Sequence, residues 1–69
     1  MSEVDDLVTA LDQGNFESVL EGIMGSLDKD GMLKLMEQMN AKAASIPDQD
    51  KRHLFKNGIA SLQMIADGM

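Results

Sequence analysis

The sequence has no cysteine, tryptophan or tyrosine, and only one proline and one histidine among its 69 residues. Without cysteine there is no disulfide framework, thiolate zinc site, cysteine nucleophile or haem-attachment motif. Without tyrosine or tryptophan there is no platform of that kind for stacking bases. Cations are scarce as well. Six Lys and Arg stand against twelve Asp and Glu, a formal net charge of −6, which is the wrong sign for neutralising phosphates. No apolar run approaches the roughly 18 residues needed to cross a bilayer. The opening residues, Met1-Ser2-Glu3-Val4-Asp5-Asp6, are acidic where a secretory signal is basic and then apolar. The expectation is a soluble, cytoplasmic protein with no cofactor, no direct contact with nucleic acid and no membrane association.

What is present is enough for one small folded domain. Apolar residues make up 43% of the chain, and 17 of the 69 residues are Leu, Ile, Val or Phe, above the range of intrinsic disorder. A domain of about 60 residues buries only about 60% of its unfolded surface. A chain of this size without disulfides leans on well-packed helices, a metal or association. Size alone therefore raises the expectation of a partner or a homodimer.

The apolar spacing is helical throughout, with no strand alternation. Val4, Leu7, Val8 and Leu11 follow the i, i+3, i+4, i+7 row of one helix face, and Ser2 with Asp5 resembles a capping box. Phe16, Val19, Leu20, Ile23, Met24 and Leu27 form a second row, roughly 120–140° out of phase with the first at 100° per residue. One straight helix cannot bury both rows on one surface, so the chain is expected to break at Gly14-Asn15, with Gly14 after the first helix and Asn15 capping the second. A third row, Met32, Leu35, Met36, Met39, Ala43 and Ile46, starts after Asp28 or Asp30, leaves Leu33 off its face and stops at Pro47. Pro47, Asp48 and Asp50 suit the start of a last helix. Its apolar face is read as Leu54, Phe55, Gly58, Ile59, Leu62, Ile65, Ala66 and Met69, with Gly58 admitting a close neighbour and Arg52, Lys56, Gln63 and Asp67 opposite. The predicted fold is all-α: a small antiparallel bundle of three to four short helices in one domain, over about 3–13, 15–26, 29–44 and 48–67. Short connections favour antiparallel neighbours, so the last two helices form a hairpin about Ser45-Ile46-Pro47-Asp48, with the first two covering its apolar side.

Charge is distributed unevenly. Residues 1–28 hold seven acidic residues and no Lys or Arg, whereas residues 29–69 hold six basic and five acidic ones. Glu3, Asp5, Asp6, Asp12, Glu17 and Glu21 are candidates for steering a basic partner; the plainer reading is a solvated surface that keeps a small protein soluble.

The most specific local pattern is a twelve-residue window from Ser26. Ser26, Asp28 and Asp30 stand at its first, third and fifth positions, Gly31 at the sixth, Leu33 at the eighth and Glu37 at the twelfth. This spacing resembles an EF-hand calcium loop, with Ser26, Asp28, Asp30 and Glu37 as ligands. It departs from that pattern at Ser26, which replaces an aspartate, and at Lys34, which adds a positive charge at the ninth position. Aromatics are also missing before the loop. The competing reading is a helix start capped by Asp28 or Asp30, with Glu37 exposed.

Other constellations are incomplete. His53, with Asp50 three residues before and Asn57 four after, shares a helix face with both, but lacks a nucleophile, an electrophile binder or a third metal ligand. Gly22-Ile23-Met24-Gly25 has the form of an RNA-clamping loop but no basic residue near it. Of seven methionines, Met32, Met36 and Met39 share one face, where they either fill the core or meet a partner. Met64 and Ala60 lie off the main row of the last helix, and with Leu33 they are candidate contacts. No family pattern extends across the chain. The expectation is a non-catalytic protein–protein interaction module, an adaptor or accessory protein, whose partner presents a basic or apolar surface. The alternatives are an acidic mimic that occupies a nucleic-acid-binding protein and a calcium-responsive domain.

Overall fold

The structure, a computed structural model, describes residues 3–69. The chain folds into four helices: α1 (Glu3–Gln13), α2 (Phe16–Met24), α3 (Lys29–Ala43) and α4 (Gln49–Asp67). Among the described residues only Gly14 takes a positive φ, +80°. There a Cβ would strain the backbone. The Asn15 N–H donates back to the Ala10 carbonyl at 3.1 Å, the six-to-one bond of a Schellman ending. The phase jump between the first two apolar rows is thus absorbed at Gly14-Asn15. Asn15 does hold the N-cap position of α2, but its side chain makes no capping bond. With ψ at 28°, its backbone is outside the extended region that aims a cap side chain at the next turn. Ser2, half of the expected capping box, lies outside the described residues.

The last two helices start with the same device. Asp28 Oδ1 accepts from the Gly31 N–H at 2.8 Å, and Asp48 Oδ1 accepts from the Lys51 N–H at 3.1 Å. Both caps have extended backbone. Pro47 is not what stops α3, which ends four residues earlier. The N–H groups of Ser45 and Ile46 turn back onto the carbonyls of Lys42 and Ala43 at 2.9 and 3.2 Å. This tight turn satisfies the terminal acceptors before the proline is reached. The five-residue connection 44–48 then returns α4 along α3 as an antiparallel hairpin, and Arg52 Nη1 braces it by donating to the Ile46 carbonyl at 3.1 Å.

The core runs along that hairpin. α3 contributes Met32, Leu35, Met36, Met39 and Ala43, with Ile46 just beyond it, and α4 contributes Phe55, Leu62 and Ala66. Val4, Leu7, Ala10 and Leu11 of α1 and Phe16 and Leu20 of α2 close the other side. Leu7, Met39, Phe55 and Leu62 are fully buried, and no polar side chain among the described residues is buried with them. The α3 methionines are therefore core. Gly58 takes the close approach expected of it: a Cβ there would lie 2.8 Å from Phe16 Cζ and 2.9 Å from Leu20 Cδ2. Phe16 also tilts against Phe55, with ring centroids 5.7 Å apart.

One expectation needs correction. The apolar face of α4 is wider than the surface the other helices cover. Phe55, Gly58, Leu62 and Ala66 are buried, but Leu54, Ile65 and Met69 are 44%, 42% and 58% exposed. α2, nine residues against nineteen in α4, packs on this face at Gly58 through Phe16 and Leu20. Among the described residues no helix is long and apolar enough to cross a membrane.

Candidate interaction site

Leu54, Gly58, Ser61 and Ile65 follow i, i+4, i+7, i+11, so they form one edge of α4, beside the buried row. α2 lies against this edge at Gly58, where the missing side chain lets Phe16 and Leu20 come close. Because the helices meet through a glycine, a groove opens above the contact. Its floor is Phe16, Leu20, Met24, Leu54 and Gly58, with Asn57 and Ser61 on the α4 side and Glu17 and Glu21 on the α2 side. The groove is open to solvent, has a volume of about 170 Å³, and its exposed lining is about evenly polar and apolar. It continues through Phe16, Glu17 and Leu54 into a hollow of about 250 Å³ at the α1–α2 corner, floored by Leu11 and Gly14. No Lys, Arg or His lines either part.

The acidic residues singled out in the sequence separate into three groups. Glu3, Asp5 and Asp6 stand in the first turn of α1, where the partial positive charge of a helix N-terminus favours carboxylates whether or not a partner exists. Asp12 is engaged within the chain: its Oδ1 accepts from Lys51 Nζ at 2.6 Å, tying the end of α1 to the first turn of α4. The hydrogen bond and charge of Asp12 together raise the Lys51 pKa above its ordinary value. Glu17 and Glu21 are the pair brought to the groove. Neither pairs with a cation among the described residues.

The apolar candidates are placed differently. Leu33 is 43% exposed and Met64 is 76% exposed, and Ala60 is also exposed. All three are off the core as expected. Met64 lies about 180° around α4 from Phe55 at 100° per residue, opposite the buried row and roughly 60–100° from Leu54, Ser61 and Ile65 of the groove edge. Neither the groove nor its extension takes in Leu33, Ala60 or Met64. Sequence reasoning missed Leu54 and Ile65 as exposed residues because it assigned them to the core. Apolar periodicity carried no signal for this, because both residues fit the row.

The four residues of the calcium-loop pattern are not wrapped around a common centre. α3 begins at Lys29, so Asp30 and Glu37 lie on a helix, about 10 Å apart along its axis at 1.5 Å per residue. Asp28 is committed to capping, and Ser26 Oγ donates to the Ile23 carbonyl at 3.0 Å. Among the described residues no three His, Asp or Glu side chains converge to hold a metal ion. His53 is exposed on α4. Gly22 is exposed on α2, and a Cβ there would meet nothing within 4 Å.

A second cleft, of about 460 Å³, also adjoins the C-terminal half of α1, where Val8 and Leu11 line it with Ile46 and Pro47. Lys42, Lys51, Asp12 and Asp48 surround it. Its charges are mixed, and the Asp12–Lys51 bridge uses one of each sign. Searches of protein-family models, curated proteins and solved structures found no match to this chain.

Proposed function

We propose that this chain is a small helical protein–protein interaction module, an adaptor or accessory protein without catalytic activity of its own, that docks a partner on the groove between α2 and α4. One observation carries the reading: Leu54, left 44% exposed, lines a groove with Phe16, Leu20 and Met24 that Glu17 and Glu21 edge, and Ile65, 42% exposed, follows one turn beyond Ser61 of its lining. Exposed apolar residues standing singly are ordinary; apolar residues that line a concavity with a polar rim are the usual anatomy of a docking surface. The remaining acidic surface of residues 1–28 adds long-range attraction for a basic partner and raises the rate of encounter.

The test is affinity capture from source-cell lysate at about 150 mM salt, where distant surface charge is screened. It compares the wild type with Leu54→Asp and Ile65→Asp, and with Met64→Asp as a surface control. A stoichiometric partner lost in the first two variants and kept in the third is the expected result. A partner lost in Met64→Asp alone would move the site to the outer face of α4 and overturn the groove reading. A nucleic-acid-binding partner released by modest added salt and indifferent to Leu54 would favour an acidic mimic instead.

A further inference from the structure

We infer that the occupant of the α2–α4 groove is an amphipathic helix of a partner protein, with Lys or Arg flanking its apolar row; this rests on the interaction-module reading above. The first argument is backbone satisfaction. The groove walls are side chains of two helices whose own N–H and C=O groups are bonded internally, and among the described residues there is no strand edge to extend. An extended peptide laid on this apolar floor would leave its backbone groups unpaired at a cost, whereas a helix brings its own bonds.

The second argument is fit. Leu54, Gly58 and Ser61 spread the groove's lining over about 10 Å of α4, the same length that an i, i+4, i+7 row of a docked helix covers. Gly58 keeps the floor low at the centre, so an anchor residue of the incoming helix would sit between Leu20 and Leu54. The third argument is charge. Glu17 and Glu21, one turn apart on α2, border the floor with no cation beside them. A helix with Lys or Arg next to its apolar row would place an ammonium or guanidinium against each carboxylate. An acidic helix would be repelled.

The probe is a synthetic helix of about 18 residues, with Leu in an i, i+4, i+7, i+11 row and Lys along both sides of that row. Its counterpart carries Glu in place of every Lys. Binding is followed through the backbone amide resonances of the wild type at about 150 mM salt. The Lys helix is expected to shift amides of α2 and of residues 54–61 in a saturable way, and the Glu helix to shift none. Glu17→Lys/Glu21→Lys should weaken the Lys helix by about tenfold or more. Glu37→Lys/Asp67→Lys changes the net charge equally but away from the groove, and should weaken it by less than about threefold.

Equal losses in the two double variants would reduce the binding to non-specific attraction and overturn the inference. So would shifts centred on Leu33 or Met64, or equal binding of both helices. If the wild type alone shows shifts at Leu54 and Ile65 that grow with its own concentration, the occupant is a second copy and the inference falls. A lysate partner that depends on Leu54, together with no response to either synthetic helix, would leave the docking site standing and remove the helical, basic occupant.

Discussion

α3 and α4 are partners in one hairpin, yet they use their apolar residues differently. α3 buries Met32, Leu35, Met36, Met39 and Ala43 and leaves Leu33 out. α4 buries Phe55, Leu62 and Ala66 and leaves Leu54, Met64 and Ile65 exposed, as is Met69 just beyond its end. The difference follows from their neighbours. The apolar row of α3 is buried along its length, whereas one edge of α4 is buried only where α2 packs on it at Gly58. Apolar periodicity therefore specifies which way a helix faces, and the packing of its neighbours decides how much of that face remains for something else.

The comparison breaks first if buried and exposed apolar residues of α4 prove equivalent. Leu62→Ala should cost about 2–5 kcal/mol, and Met39→Ala on α3 the same. A core this small supplies about 3–5 kcal/mol in total, so either variant should unfold at little or no denaturant. Ile65→Ala should change stability by about 0.5 kcal/mol or less. Urea denaturation followed by circular dichroism separates the two classes.

Two glycines sharpen the comparison at the groove. Gly58→Ala gains helix propensity of about 1 kcal/mol but forces the Phe16 ring and Leu20 outward, an overpacking cost of about 1–3 kcal/mol. The net is a loss. Gly22→Ala meets no neighbour and should stabilise by about 0.5–1 kcal/mol. Opposite signs in the same denaturation assay are the expected result, and two gains would mean that α2 does not rest on Gly58.

At their N-termini α3 and α4 should behave alike. Asp28→Ala and Asp48→Ala each remove one cap bond, at about 1 kcal/mol apiece. Asn15→Ala should cost less than either, because its side chain caps nothing. Thermal melts of the three variants check the order.

The smallest effect belongs to the tether that joins α4 to α1. Because the Lys51 pKa is raised in the folded state, the bridge contributes its full stability below the ordinary lysine value of 10.5. That contribution is lost only as pH rises through the higher folded value. Asp12→Asn should flatten this alkaline dependence and bring the Lys51 midpoint down, as read by a nuclear magnetic resonance titration of its side chain.

The legible part of this fold was local. The break at Gly14-Asn15 followed from two rows out of phase, the α3 core from one clean row, and the hairpin from the short connection about Ser45-Ile46-Pro47-Asp48, although α3 ends before Pro47 is reached. The Asn15 cap was misjudged because residue type does not report ψ. The Asp12–Lys51 bridge spans 39 positions and depends on the path of the whole chain. Glu17 and Glu21 were singled out from charge alone. Their position beside Leu20 and Leu54 needed the packing angle that Gly58 permits. Leu33 and Met64 were identified as outward, but an outward phase does not supply a concave neighbour.

The methionines have a consequence of their own. Met32, Met36 and Met39 are buried, whereas Met64 and Met69 stand 76% and 58% exposed. A mild oxidant converts accessible thioethers to sulfoxides and reaches enclosed ones only when the chain opens. Peroxide should therefore mark Met64 and Met69 at once and the α3 set at the rate of unfolding. The protein thus carries its own clock, with an internal reference, for how often its hairpin comes apart.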